Sequence, residues 1–274
     1  MAIKALCLAL ILACAVTAEP DTRLAGGTPT TIEEFPYIVA LVYRYPGAGI
    51  TVQRCVGSLI SSWHVLTSAF CFTGADLSNM EVRAGSTNSM AGGSVVTIRE
   101  VTQHPDYQET PRKADIAVAL LNTPFGITDS INILYLPPPG TYIPDGGNLR
   151  IVSWGFESIQ GPQLETLKTI NLRKVPLEEC EAAYVDSEAV AIGDEVICAA
   201  EEEKSLCFGD SGAPMVIGRT VVGVSSHFED CSSEVYPNVF TRIDRFTNWI
   251  ISVATPPSGA SVATASVRVE PVVY

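Results

Sequence analysis

Several stretches of this chain hold residue types that can do chemistry. Cys207-Phe208-Gly209-Asp210-Ser211-Gly212-Ala213-Pro214 sets a serine between an aspartate and a glycine. Ala114-Asp115-Ile116-Ala117-Val118-Ala119-Leu120-Leu121 places one acid at the head of an apolar run, and the histidines are His64, His104 and His227. Serine attack on an amide needs a base to take the hydroxyl proton, a carboxylate to orient that base, and donors for the oxyanion. Two further segments stand earlier, Cys55-Val56-Gly57-Ser58-Leu59-Ile60 and Leu66-Thr67-Ser68-Ala69-Phe70-Cys71.

In this order the four segments resemble the trypsin/chymotrypsin-like serine proteases, the S1 peptidases. The resemblance implies that Ser211 is the nucleophile position, Asp115 the orienting carboxylate, and the Gly209 and Ser211 amides the oxyanion donors. It also implies a general-base histidine just before the second cysteine, and there this chain has Phe70. A phenyl ring cannot take a proton. His64 lies six residues earlier, on the strand leading into the motif. His104 precedes Pro105-Asp106-Tyr107 in an expected surface turn, and His227 follows Val224-Ser225-Ser226, the segment lining the substrate side of the family's cleft. None of the three is expected between Ser211 and Asp115. Losing a triad base costs on the order of 10⁶ in kcat, which leaves roughly 10³–10⁴ over water from the oxyanion donors and binding. Without its N–H partner and with a ring against it, Asp115 is expected to have a raised pKa, with Ser225 still donating to it.

The same resemblance places Ser205 at the base of the specificity pocket, where trypsin-like enzymes carry an acid. It places His227 and Asn238 at wall positions usually held by glycine, with Ser226 at the family's usual tryptophan. Arg23-Leu24-Ala25-Gly26-Gly27, followed by Phe35-Pro36-Tyr37, is similar to the family's activation site. Cleavage after Arg23 would free the Leu24 amine to pair with Asp210 and order the serine loop.

Residues 1–18 read as a secretory signal: Lys4, an apolar stretch from Ala5 to Val16, and the small-residue site Val16-Thr17-Ala18. Residues 19–23 are then a short propeptide. No later stretch is long and apolar enough to span a bilayer. Removing the signal leaves Cys55, Cys71, Cys180, Cys198, Cys207 and Cys231, an even set that reads as disulfides in an exported chain. Six cysteines allow 15 connectivities; the resemblance implies Cys55–Cys71, Cys180–Cys198 and Cys207–Cys231. No paired short Cys/His spacing suggests a metal, and no cofactor is expected. The formal net charge of −13 argues against nucleic acid and membrane surfaces, which call for a basic patch.

Short β-rich runs punctuated by Gly, Pro, Asn and Asp dominate, from Tyr37–Tyr43 through Ser58–Ile60, Glu81–Ala84, Ser94–Arg99 and Ile116–Leu121. They continue through Leu149–Ser153, Thr169–Arg173, Pro214–Ile217, Thr220–Ser225 and Asn238–Arg242. Such a pattern predicts an all-β sandwich or barrel, with one clear helix at Asp244–Val253. The resemblance chooses two six-stranded Greek-key barrels with the C-terminal helix, over 24–253, and puts Pro137-Pro138-Pro139 in the crossing between them. Residues 254–274 read as a flexible tail, with a folded-back strand from Ser266 to Val273 as the alternative. The expectation is a secreted, monomeric, catalytically inactive homologue that binds a protein or peptide partner: a protease, an inhibitor or another ligand. Phe70, Phe208 and Phe228 would either offer that partner an apolar surface or fill the empty site. The alternatives are a weak or atypical serine endopeptidase and a storage or structural secretory protein.

Overall fold

The computed structural model describes residues 27–156, 158, 165–231, 233, 235–260 and 266–274. The expected signal, the propeptide and the Arg23–Leu24 bond lie outside them. From β1 (Thr28–Pro29) the chain builds a closed barrel of β2 (Ile38–Tyr45), β3 (Ile50–Leu59), β4 (His64–Thr67), β5 (Met80–Ala84) and β6 (Ser94–Gln103). After the short hairpin β7–β8 (Gln108–Glu109 and Arg112–Lys113), β9 (Ala117–Leu121) completes it between β4 and β6. The second barrel takes β10 (Asn148–Ser153), β11 (Lys168–Val175), β12 (Val196–Ala200), β13 (Pro214–Ile217), β14 (Thr220–His227) and β15 (Asn238–Arg242). Its spatial order is β11-β10-β13-β14-β15-β12, and the β11–β12 pairing closes it. Helix α1 (Leu177–Ala183) precedes β12, and α2 (Ile243–Val253) follows β15.

The apolar run of β2 shows why the barrels stay together. Ile38, Ala40 and Val42 belong to the core shared with the second barrel, whereas Val39, Leu41 and Tyr43 fill the first barrel. A strand buried on both faces has no polar side to alternate with, so it reads as continuous hydrophobicity. The same division recurs at the end of β3 and in β4: Val56 and Leu66 face the shared core, Cys55, Leu59 and Val65 the first barrel. The cleft residues therefore hang on a packed seam rather than on separate surfaces.

Three elements carry no clear period in the sequence. Strand β4 is only four residues long and wholly buried; Thr67 Oγ1 donates to the Val56 carbonyl at 2.7 Å, and His64 Nδ1 is 2.8 Å from Ser61 Oγ. Strand β12 is alanine-rich, and the seven-residue α1 is too short for a helical period to register. The bridges are Cys55–Cys71, Cys180–Cys198 and Cys207–Cys231, closing separations of 16, 18 and 24 residues. Loops of that size are each stabilised by about 3 kcal/mol on the chain-entropy account.

The described part of the C-terminal segment departs from a flexible tail. Val269 pairs with Leu136, whose amide donates to the Arg268 carbonyl at 2.9 Å and whose carbonyl accepts from Glu270 N at 2.9 Å. Val267 and Val272 pack on the shared core, and the Tyr274 hydroxyl donates to the Tyr142 carbonyl. The inter-barrel crossing supplies the reason. Leu134–Leu136 offers one edge to Thr220 and Val221 and leaves its other backbone groups for the tail to satisfy. Among the described residues no helix is long and apolar enough to cross a membrane.

Leu41 is fully buried, whereas Val95 is 42% exposed. In urea titrations of the disulfide-intact protein, Leu41→Ala should lose about 2–5 kcal/mol and Val95→Thr should stay within about 0.5 kcal/mol. Equal losses would contradict the two-core division.

Candidate functional site

Asp115 sits at the seam between the barrels. Ala114 before it takes a left-handed φ of 45°, a conformation that costs a non-glycine residue of order 1–3 kcal/mol and persists only where the surroundings impose it. The Asp115 carboxyl is buried; Oδ1 accepts from Ser68 Oγ at 2.7 Å and Phe70 N at 2.9 Å, and Oδ2 from Ser226 Oγ at 2.7 Å. Thr241 Oγ1 donates to its backbone carbonyl at 2.8 Å. Burial pushes its pKa up, and the three hydrogen bonds together with the Arg112 charge oppose the rise.

This arrangement corrects the expected donor. Ser225 is held in the backbone ladder, opposite Phe240, with its amide on Ala213 and its carbonyl accepting from Gly212. A bulge between Ser225 and His227 leaves Ser226 outside the ladder, and a bulged residue is re-aimed. Counting by motif cannot see that extra residue. Phe70 also keeps a polar role through its backbone, whose amide donates to Asp115.

The Phe70 ring lies beneath Arg112 of β8, whose guanidinium carbon is 3.9 Å from the ring centroid. Arg112 Nη1 donates to the Ser226 carbonyl at 2.6 Å, and its Nε is buried without a partner among the described residues. Its backbone is fixed as well, donating to Ala189 at 2.8 Å and accepting from Ala191 at 3.0 Å. A cation over an aromatic face is worth up to about 2 kcal/mol when desolvated. Ring and guanidinium together close the side of the cleft above Asp115. Nothing in the spacing singled out Arg112, because the stack joins a hairpin to a distant turn.

The serine loop is docked tightly. Val56 N donates to the Ser211 carbonyl at 2.9 Å, and Gly212 N to Ser225 at 2.9 Å. Gly212 has φ 83°, and a Cβ there would stand 2.1 Å from the Val56 carbonyl and 2.2 Å from Thr67 Oγ1. Only glycine permits that approach. The Ser211 hydroxyl and the Gly209 and Ser211 amides make no internal hydrogen bond among the described residues. Asp210 is fully buried, accepting from Gly155 N at 2.9 Å and Cys207 N at 2.8 Å. Burial raises its pKa to about 7 against the bonds from Cys207 and Gly155. Among the described residues no cation reaches it, and Leu24, its expected partner, lies outside them.

Ser205 and Asn238 are brought together. Asn238 Oδ1 accepts from Ser205 Oγ at 2.9 Å and from Leu206 N at 2.8 Å, both within a buried site. The carboxamide thus occupies the space beside Ser205. His227 does not join them. Its Nε2 is 3.2 Å from Glu229 Oε2 and its ring 6.0 Å from Tyr184, and burial lowers its pKa against the pull of Glu229. Phe228 follows it, and Phe156, Phe208 and Phe228 run edge to face at 6.4 and 5.6 Å, with Phe208 52% exposed. Phe156 was not singled out from the sequence. His64 is buried with Nδ1 2.8 Å from Ser61 Oγ. His104 opens the expected surface turn, its carbonyl accepting from Tyr107 N at 3.0 Å, and its ring packs on Phe246 and Trp249 at 5.0 and 4.9 Å. Among the described residues no histidine bonds Asp115 or Ser211, and no group of three or more metal-ligating side chains forms.

A family model described as Trypsin matches residues 24–250. "Trypsin, alkaline B" of Manduca sexta is 31% identical over 239 residues, covering 86% of this chain and 92% of that protein. "Trypsin alpha" of Drosophila erecta is 33% identical over 240 residues, covering 85% and 88%. Among solved structures, the scabies mite inactivated protease paralogue S-D1 superposes with a TM-score of 0.73 at 24% identity, covering 82% of this chain and 94% of that one. At that identity the likeness concerns the fold.

The Asp210 carboxyl generates a pH dependence. With a folded-state pKa of about 7 against an ordinary 3.8, the folded chain holds a proton that the unfolded chain releases. Stability therefore falls as pH rises between these values and is level above them. Asp210→Asn should flatten that fall by a few kcal/mol, because a carboxamide does not titrate in this window. Urea titrations across pH 4–8 measure it. An unchanged slope would mean that Asp210 does not titrate in this window.

Proposed function

Because the chain belongs to the trypsin family of serine peptidases, we propose that it is a secreted, non-catalytic member that binds a protein or peptide partner at the cleft. One observation carries the reading. Phe70, capped by the Arg112 guanidinium at 3.9 Å, stands where the family resemblance calls for the general base, and the histidines are engaged elsewhere. Ser211 then has nothing to take its proton, and Asp115 has nothing to orient. A serine without its base retains only what oxyanion donors and binding supply.

Two features support binding over turnover. Asn238 fills space beside Ser205, so the pocket for a substrate side chain is narrowed. The partly exposed Phe156–Phe208–Phe228 row offers aromatic edges and faces suited to a partner's loop, since such rings dominate interface energetics. The three disulfides are those of an oxidising compartment, in keeping with export through the 1–18 signal. A second reading, a weak endopeptidase, is favoured by the Gly209 and Ser211 amides, which make no internal hydrogen bond among the described residues.

The deciding experiment uses protein cleaved after Arg23, tested on trypsin, chymotrypsin and elastase substrates and on a fluorophosphonate. No turnover above background and no Ser211 labelling are expected; turnover abolished by Ser211→Ala would overturn the proposal. Phe70→His should restore little peptidase activity, because Asn238 still obstructs the pocket and Arg112 still holds the Ser226 carbonyl; misplacement of about 1 Å can cost 10²-fold. Combining it with Arg112→Ala should raise phosphonate labelling above that of Phe70→His alone. Full recovery from the single substitution would show an unobstructed cleft. For the binding role, Phe208→Asp should abolish capture of the partner from the native secretion without loss of fold.

Cleavage after Arg23 has its own signature. A Leu24 ammonium paired with Asp210 would draw its pKa down, so the loss of stability toward pH 7 expected of the precursor should vanish in the cleaved chain. Identical pH profiles for the two forms would rule out that pairing.

A further inference from the structure

The serine loop is held peptide by peptide. Phe156 N donates to the Phe208 carbonyl at 2.7 Å, which fixes the plane of the Phe208–Gly209 peptide. Gln53 Nε2 donates to the Gly209 carbonyl at 2.7 Å and fixes the next plane. Ala213 N donates to the Asp210 carbonyl at 2.9 Å, and Val56 N to the Ser211 carbonyl at 2.9 Å. In a planar trans peptide the N–H points opposite to the carbonyl. Fixing the Phe208 and Asp210 carbonyls therefore aims the Gly209 and Ser211 amides, the two that make no internal hydrogen bond among the described residues.

Gln53 differs from the other donors. It lies on β3 of the first barrel, is 2% exposed, and reaches across the seam to a loop of the second. The same Nε2 donates to the Cys55 carbonyl at 2.8 Å, so both N–H bonds of the carboxamide are spent and it has little freedom to turn. Phe156, Ala213 and Val56 act through backbone amides, whose places the barrels set; Gln53 acts through a side chain, which substitution can remove. Asp210 adds two bonds of its own, from Gly155 N and Cys207 N. All these groups belong to residues 53–213, and none to the segment that cleavage after Arg23 would free.

We propose that Gln53 is a positioning residue that latches the serine loop, and that through this latch the cleft takes its shape before cleavage at Arg23 and not because of it. Rearranging the Gly209–Asp210 peptide would strip both the Gly209 carbonyl and a buried carboxamide N–H of their partners, and a buried polar group left unpaired is costly. Cleavage then alters the charge around Asp210 without being needed to order the loop. The uncleaved chain would accordingly offer a partner the same preordered surface as the cleaved one, which lowers the ordering cost of association. That consequence rests on the proposed binding at the cleft; the latch itself does not.

Hydrogen exchange of the disulfide-intact protein, read by mass spectrometry over residues 207–213, tests the latch. Two forms are compared: Arg23→Gln, which stays uncleaved, and the wild type cleaved after Arg23. The amides of Asp210, Gly212 and Ala213, each hydrogen-bonded, should exchange at rates that agree within about twofold between the forms. Gln53→Met, close in length but without a donor, should speed their exchange in the uncleaved form by about tenfold or more and leave the β5 amides unchanged. Protection gained only on cleavage, indifference to Gln53→Met, or an equal rise in β5 would each overturn the latch. The comparison of the two forms needs no change at residue 53, so it decides the matter even where Gln53→Met fails to fold. Unimpaired partner capture by Phe208→Asp would count against binding at the cleft while leaving loop protection as it is, so the two failures read apart.

Discussion

The buried carboxyl of Asp115 takes its donors from both barrels: Ser68 and the Phe70 amide from the turn after β4, Ser226 from the end of β14. A buried carboxylate incurs several kcal/mol of desolvation, and each of these bonds offsets part of it. Moving any one of the three segments would leave polar atoms unpaired at the seam. The Thr241 bond to the Asp115 carbonyl ties in β15 by the same logic. The cleft geometry thus follows from one desolvated group that two halves of the chain satisfy jointly.

That dependence explains how the site tolerates Phe70. The carboxyl keeps a contact at residue 70 through the backbone, so the side chain there is free to change without orphaning Asp115. The ring is then covered by Arg112, which also occupies the Ser226 carbonyl. Donor, ring and guanidinium thus form one contact set across the seam. The serine loop persists on separate grounds: Gly212 must approach the Val56 carbonyl, and Asp210 must stay against Gly155. Those are packing demands, and they hold whether or not Ser211 reacts.

The acidic surface and the aromatic row point the same way for the proposed partner. A net charge of −13 gives long-range steering toward basic surfaces, while Phe208 and Phe228 supply local apolar contact. Packing of the last residues against Leu136 extends the shared core to the crossing segment. The fold is thereby continuous from the cleft to the chain's C-terminal stretch.

Much was legible beforehand. Alternation and turn residues gave the strands of both barrels, because a half-buried strand repeats every two residues; the cysteine pairs and the Phe70 departure were readable by motif. Strand β4 was read only as the strand leading into the motif, and β12 and α1 escaped, being too uniformly buried or too short to show a period. Ser226 in place of Ser225 escaped because a bulge adds a residue without altering the letters around it. Arg112 over Phe70 and His104 against Trp249 were decided by tertiary structure alone. Sequence carries residue type and local period, so it determined which segments form strands and which residue stands where a base was expected. Contacts between segments far apart in the chain depend on closure of the barrels and on which polar groups that closure must satisfy, and no local pattern encodes them.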